Sequence, residues 1–438
     1  MTLRTLQDDL AAEQKMNRTS NSVFLETAIS IGARLCRDAI WDGQRCNWLG
    51  DSMEFESGSW SVVHRAFGPE FYNGTSGIAL FLAQLYSLTG EKPFKTAATG
   101  AALQAESCAG QLADSARIGF YSGQLGIAYA LLELAELLED EKFLEPAFAL
   151  LDELGKTKED SKLLDVISGS AGAIPALLNI YRKHPRDSYL QMAVREGENL
   201  LRTAKKREEG YSWNTIGIPD QPDLLGFSHG TAGIGWALLE LHRETGEVKF
   251  EEAAQQAFRY ERHHFSREHQ NWPDLRNLQT GQTQGPSYAV AWCHGAPGIG
   301  LSRLRSFQMT QDPSYRIEAE AALGTTMKTL DPSLYGGQAN YSLCHGLGGN
   351  AEVLIYGAQV LRRPDYHAAA QQLGLKGIET YEKNRLPWPC GVLGGGETPN
   401  LLLGLAGIGY FYLRLHDPVI VPSVLIVLPK TEMASGAA

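Results

Sequence analysis

What this 438-residue chain has little of narrows its function first. No run of about eighteen apolar residues occurs, so nothing in it reads as membrane-spanning. The near-apolar stretch from Val419 to Leu428 is too short and contains Pro422. The first twenty residues are polar and lack the apolar segment of a secretory signal, which predicts a soluble, cytoplasmic protein. Basic residues are also in deficit, 39 against 50 acidic, giving a net charge of −11. A sequence-independent nucleic-acid binder would need a basic face, so no nucleic-acid partner is expected. Cysteine is scarce as well. Six residues (Cys36, Cys46, Cys108, Cys293, Cys344 and Cys390) in so long a chain do not make a disulfide framework. Cysteines beside histidines in a cytosolic chain point instead to metal or catalysis.

What is abundant is glycine, and it is ordered. A Gly-x-x-Gly pair opens an apolar helical stretch seven times, with first glycines at Gly74, Gly123, Gly169, Gly230, Gly295, Gly346 and Gly404. Their spacings are 49, 46, 61, 65, 51 and 58 residues, a period that marks a repeated structural unit. The fourth unit shows the pattern. Asp187 to Thr203 has broadly helical apolar spacing with a polar face, a loop follows, and Gly230 to Glu244 is apolar almost all round. Outer, amphipathic helices are predicted near 22–40, 91–113, 140–155, 187–204, 248–265, 313–330 and 364–383. Seven helical hairpins can close into a ring or stack as an open superhelix. The apolar inner set and the lack of polar capping repeats favour closure. The predicted fold is all-α, an α/α toroid over residues 20–416, with an N-terminal extension (1–20) and a C-terminal tail (417–438). Glycine costs a helix about 0.5–1 kcal/mol relative to alanine, so the pairs need a structural reason. Either they let backbones approach at the ring centre, or they permit the loop-to-helix turn.

The residues just before each glycine pair share one phase of the repeat, near the ring axis. Cys293 and Cys344 each stand two positions before their glycine, 51 residues and one repeat apart, and His345 follows Cys344. Two thiols and an imidazole suit zinc, and three protein ligands leave a tetrahedral position open, as in catalytic sites. Helix N-termini beside them favour thiolate over thiol. The alternative is a pair of buried free cysteines. His229 and His294 share the phase of His345, and His229 can act as general acid or base near neutral pH. Asp165, four residues before Gly169, is either a partner for that chemistry or a helix-terminal charge. Cys36 and Cys108 fall in outer helices and Cys46 in a loop, where packing explains them. Trp213, Tyr288, Trp292, Tyr341 and Trp388 stand in loops before inner helices, either lining a peptide groove or covering the core.

The segments GFSHGTAGIGWALLEL, AWCHGAPGIG and SLCHGLGGNAEVL resemble the lanthionine synthetase C family, the lanthipeptide cyclases. Their Trp-Cys-His-Gly-Ala-Pro-Gly form is most similar to the cyclase half of bifunctional class II synthetases. The resemblance covers about residues 20–416. It implies an α/α toroid with one zinc ion held by Cys293, Cys344 and His345, with His229 as acid/base and Asp165 beside it. The residue after the first zinc cysteine, tyrosine or histidine in such enzymes, is His294 here, and either His229 or His294 would deliver the proton that ends the reaction. Some stand-alone members carry an arginine four residues before that cysteine. This chain has Ala289 there, so that contribution is missing or supplied elsewhere.

The implied activity is a Michael-type addition. A peptide cysteine thiol adds to dehydroalanine or dehydrobutyrine in the same peptide and forms a lanthionine or methyllanthionine thioether. The expected partner is a dehydrated precursor peptide with its leader. About twenty residues precede the first helix, so dehydration is expected from a separate protein and not from this chain. One alternative keeps the chemistry but adds glutathione between molecules. Another is a non-catalytic, peptide-binding scaffold. An α/α-barrel carbohydrate enzyme would need paired carboxylates where cysteine and histidine stand.

Overall fold

The computed structural model describes residues 22–429 apart from 57–58, 158–159, 218–220, 278–284, 337–338 and 395. The N-terminal extension 1–20 lies outside them. Fourteen α-helices dominate the described residues. Seven inner helices are α2 (Thr75–Thr89), α4 (Gln124–Leu137), α6 (Ser170–Lys183), α8 (Thr231–Thr245), α10 (Ala296–Thr310), α12 (Leu347–Leu361) and α14 (Leu405–His416). Seven outer helices alternate with them: α1 (22–38), α3 (Lys92–Cys108), α5 (Leu144–Lys156), α7 (Asp187–Thr203), α9 (Val248–His264), α11 (Pro313–Lys328) and α13 (Pro364–Gly377).

Burial follows the sequence pattern. Helix α8 buries every residue from Thr231 to Leu241, whereas α7 buries Tyr189, Met192, Ala193, Glu196 and Leu200 along one stripe. The closest antiparallel pairing joins each of the first six inner helices to the outer helix that follows it, through a short turn. The longer connections, from an outer helix to the next inner one, gather at the opposite rim. Neighbouring inner helices touch all the way round, and α14 packs against α2, so the ring is closed. Helix α1 covers that junction, with the Phe24 and Tyr412 rings 6.2 Å apart. The fold is a mostly helical α/α toroid.

The glycine pairs serve both purposes offered above. The first glycine of each pair is the residue capping its inner helix. At the second, a Cβ would collide with the carbonyl oxygen six residues upstream, 2.0 Å from Trp292 O at Gly298 and 1.8 Å from Leu343 O at Gly349. The added atom at Gly298 would also meet Phe227 Cβ of the preceding unit at 2.6 Å. The loop thus folds tightly over its own helix while adjacent units close up.

This packing creates layers at fixed repeat phases. Three residues before each pair lies an apolar layer of Phe71, Phe120, Val166, Phe227, Trp292, Leu343 and Leu401, all buried. One step on, backbone hydrogen bonds run unit to unit around the ring. Tyr72 N donates to Tyr121 O, Tyr121 N to Ile167 O, Val166 N to Ser228 O and Ser228 N to Cys293 O. Cys293 N then donates to Cys344 O, Cys344 N to Leu402 O, and Leu402 N back to Tyr72 O. The circuit is complete, with N–O distances from 2.8 to 3.4 Å.

Two features go beyond the helical pattern. Three antiparallel hairpins decorate the rim: β1 (Ile40–Asp42) with β2 (Arg45–Asn47), β3 (Leu49–Glu56) with β4 (Ser59–Ala66), and β5 (Lys205–Arg207) with β6 (Gly210–Ser212). The segment after α14, read from sequence as a tail, turns inward and is largely buried from Val421 to residue 429. Tyr121 Oη donates to Val424 O at 2.8 Å, Trp292 Nε1 to Leu425 O at 3.0 Å, and Asn179 Nδ2 to Leu428 O at 3.0 Å. Donors from three units thus satisfy carbonyls of this irregular segment where it crosses the ring. No helix among the described residues is long and apolar enough to cross a membrane.

Candidate metal and acid/base site

The residue before each glycine pair is Asn73, Ser122, Ser168, His229, His294, His345 or Leu403, and this layer faces the mouth. His345 is exposed there, His229 half-buried and His294 buried. Every inner helix starts at this rim, so seven N-termini point their unpaired N–H groups and positive dipole ends toward the same space.

The ligand atoms of Cys293, Cys344 and His345 all lie within 4.8 Å of one another. The repeat brings them together: Cys293 and Cys344 are successive members of the hydrogen-bond circuit. His345 Nε2 donates to Gly391 O at 2.8 Å, which leaves Nδ1 as the nitrogen with the lone pair. A Cβ at Gly391 would stand 2.9 Å from that Nε2, so this approach requires glycine. Although part of His345 is exposed at the mouth, desolvation of its ring by the surrounding protein lowers its pKa, with Arg276 adding to the effect and the Gly391 carbonyl opposing it, which favours the neutral ring that a metal ligand must be. Donation from Cys344 holds Cys293 below the usual thiol range, helped by His229 and Arg276, while Cys344 is pushed well above it. Two sulfurs, one of them readily ionised, and a tautomer-fixed imidazole fit zinc by donor chemistry.

His229 Nδ1 lies 2.5 Å from Asp165 Oδ2. Asp165 is buried, and its other oxygen accepts Ser168 N at 2.8 Å, so the carboxylate both caps the turn before α6 and orients the imidazole. Burial alone pushes the His229 pKa down. The hydrogen bond and charge of Asp165, followed by Cys293, outweigh burial and Arg276 and leave it raised. His294 is its neighbour, ring centroids 5.8 Å apart, but burial and then Arg276 drive the pKa of His294 to about 3. The two rings therefore shift in opposite directions from the ordinary histidine value.

Two further residues belong to this site without having been singled out in the sequence. The guanidinium of Arg276 forks onto buried Asp274, with Nε 3.0 Å from Oδ1 and Nη2 2.5 Å from Oδ2. Its charge acts on Cys293, Cys344, His229, His294 and His345. The loop carrying it is tied to the Cys293 segment by Asp274 N to Ser287 O at 2.7 Å and Asn271 Nδ2 to Ala289 O at 3.0 Å. A cation is therefore supplied here from an earlier turn of the same α9–α10 connection, where Ala289 provides none. Tyr72 is the second, its phenol opposing the rise in the Cys344 pKa. Repeat phase could have found Tyr72; nothing in the sequence marks Arg276.

The aromatics offered as a groove lining mostly serve the core instead. Trp213, Trp292, Tyr341 and Trp388 are buried, and Tyr288 stacks on His269 with centroids 3.9 Å apart. Cys390 is buried in apolar surroundings that push its thiol up to about 12, and Cys46 lies in β2, likewise raised to about 12 by burial.

An α/α toroid with a Cys-Cys-His cluster and a carboxylate-supported histidine at its mouth defines the class. A model of the lanthionine synthetase C-like proteins matches residues 66–426, and the chain belongs to that family. It is 25% identical over 293 residues to the nisin biosynthesis protein NisC of Lactococcus lactis subsp. lactis, covering 60% of this chain and 68% of that one. It is 23% identical over 257 residues to the lacticin 481/lactococcin biosynthesis protein LcnDR2 of the same organism, covering 57% of this chain. Only 25% of the LcnDR2 length is spanned. Among solved structures, nisin cyclase superposes with a TM-score of 0.62 at 19% identity, over 81% of this chain and 90% of that one, and so shares the fold.

Proposed function

We propose that this protein is a zinc-dependent lanthipeptide cyclase that joins a peptide cysteine to a dehydroalanine or dehydrobutyrine of the same chain. The observation that carries the reading is the Cys293, Cys344 and His345 cluster beside the His229–Asp165 pair at one rim. Zinc, when bound, supplies an open coordination position that lowers the pKa of a thiol. The thiol gives up its proton to solvent, its sulfur forms a bond to the alkene Cβ, the π pair moves onto the carbonyl oxygen as an enolate, and the Cα must be protonated. His229, its pKa raised by Asp165, delivers that proton, while Asp165 holds the ring through Nδ1 and leaves Nε2 to face the substrate. His294, with a pKa near 3, serves as a neutral hydrogen-bonding neighbour. The substrate must already be dehydrated, so a reaction that eliminates water from serine or threonine precedes this one and is assigned to a partner protein. A cytoplasmic site of action fits the same reading.

Ring closure is an isomerisation, so mass cannot report it. The test is a dehydrated peptide containing one cysteine, incubated with zinc-loaded protein and no added thiol, then treated with an alkylating agent. Loss of alkylation at unchanged mass supports cyclisation. A thiol that stays fully alkylatable sinks it, and a mass gain that appears only with glutathione would favour intermolecular addition.

A further inference from the structure

The turn that carries His229 lies directly against the turn that carries Cys293 and His294. Ser228 N and Ser228 Oγ both donate to Cys293 O, at 3.3 and 3.1 Å. Gly226 has a φ of +98°, and a Cβ there would stand 3.1 Å from Cys293 O and 3.2 Å from His294 Cα. One buried side chain brackets the His229 turn from behind. Glu261, on α9, accepts Gly226 N at 3.0 Å and Thr231 Oγ1 at 3.1 Å, both on Oε1, from either side of His229. Its other oxygen accepts Arg303 Nη2 at 2.8 Å. Arg303 belongs to α10, the helix that starts at Ala296 just after the Cys293 turn. Its Nε donates to Glu318 Oε2 at 2.5 Å, and its guanidinium lies over the Phe258 ring, 3.9 Å from the centroid, so it is itself held fast.

The Glu261 and Arg303 side chains are both fully buried. Withdrawing two charges from water is costly, and well-packed apolar side chains often stabilise such a place equally well, so stability does not account for the pair. Its contacts do. One carboxylate oxygen holds the segment of the acid/base residue, and the other holds the helix that follows a metal ligand. We propose that Glu261, anchored by Arg303, is a positioning residue for the reaction, setting where His229 stands relative to the Cys293, Cys344 and His345 cluster. This rests on the cyclase reading above, in which His229 protonates the enolate at Cα. An acid fixed on one side of a planar enolate protonates one face and gives one configuration at Cα, whereas a loosely held acid competes with water at both faces. A comparable pair elsewhere in the ring serves as a control. Arg305 Nε and Glu240 Oε1 are 2.5 Å apart, equally buried, and join α10 to α8. Glu240 lies nine residues beyond Thr231, roughly 13 Å further along α8 and away from the mouth.

The experiment uses the full, zinc-loaded chain in wild type, Glu261→Gln, Thr231→Val and Glu240→Gln, with the dehydrated one-cysteine peptide. The ring product is hydrolysed and its Cα configuration read by chiral chromatography. The proton between His229 Nδ1 and Asp165 is followed as a downfield NMR resonance, assigned by its loss in His229→Asn. Glu261→Gln should keep the wild-type zinc content and lower kcat by up to about 10²-fold, the cost of roughly 1 Å of misplacement. It should also turn one product configuration into a mixture and shift or broaden the resonance. Thr231→Val keeps the ion pair and should do the same to a smaller degree, and it decides the matter if Glu261→Gln does not fold. Glu240→Gln should lower the melting temperature and leave configuration and resonance as in wild type. A single configuration with an unmoved resonance in the deciding variant, or equal changes in Glu240→Gln, overturns the proposal while the cyclase reading stands. Wild-type rings of mixed configuration overturn it as well. Wild type that closes no ring sinks both.

Discussion

His229 Nδ1 and Asp165 Oδ2 stand 2.5 Å apart although 64 residues separate them in sequence. Their meeting follows from the circuit below them, in which Val166 N donates to Ser228 O at 3.0 Å. Each residue is the neighbour of a member of that bond, so the pair is positioned by backbone and not by its own attraction. Asp165 has therefore been fixed before any proton moves, which is what an orienting carboxylate requires.

The pH dependence of Asp165→Asn follows. Asp165 raises the His229 pKa, while burial and Arg276 lower it. Removing the carboxylate leaves the lowering influences in charge, so His229 loses its proton at lower pH. If His229 is the acid, the alkaline limb of the kcat/KM profile moves to lower pH in Asp165→Asn, and the maximum falls by about 10²–10⁴-fold, the range of a lost general acid. A profile that keeps its alkaline limb would assign the proton to another group.

Metal content separates the site from a pair of buried thiols. Elemental analysis of protein purified without chelators should give about one zinc per chain, with loss in Cys293→Ala, Cys344→Ala and His345→Ala. Loading apo protein should release protons, since the Cys344 thiol must ionise to bind. A folded wild type with no zinc would remove the basis of the cyclase reading.

The glycine phase predicts opposite effects for two glycines. Gly298→Ala puts a methyl 2.0 Å from Trp292 O, where backbone has to shift, and should destabilise by about 1–3 kcal/mol. Gly324→Ala lies in outer helix α11 with nothing within 4 Å of the added carbon, and should stabilise by up to about 1 kcal/mol. Chemical denaturation of the two variants checks both signs.

That steric rule is also why so much of the architecture was legible. Glycine pairs survive where a carbonyl lies under the helix start, so their period exposes the seven units, and phase then groups Cys293, Cys344, His229, His294 and His345 at one rim. Tyr72 has the same phase and was readable in principle, but tyrosine before a helix is ordinary until its influence on the Cys344 thiol is known. Arg276 was not readable. It sits in the short turn Leu275–Asn277, off the repeat, and is aimed by Asp274 through contacts that only the folded loop creates. The β3–β4 ribbon escaped because helical periodicity organised the reading around it. Phase also says nothing about the destination of the chain beyond α14, where Val421 and Leu425 carry no motif.

Substitution tests that last segment most sharply. Leu425 is fully buried and its carbonyl accepts Trp292 Nε1 at 3.0 Å, whereas Ile420, five residues earlier, is 60% exposed. Leu425→Asp forces an unpaired carboxylate into the ring and should cost more than about 4 kcal/mol, the range reserved for buried charges and lost cores. Ile420→Asp should change stability by no more than about 0.5 kcal/mol. Because Trp292 immediately precedes Cys293 and spans from the apolar layer to Leu425, a loosened segment should also weaken metal binding. Leu425→Ala, milder than the aspartate, should therefore lower the melting temperature and Zn²⁺ affinity together. Lost stability with unchanged affinity would show that the circuit holds the metal ligands independently of the segment beneath it.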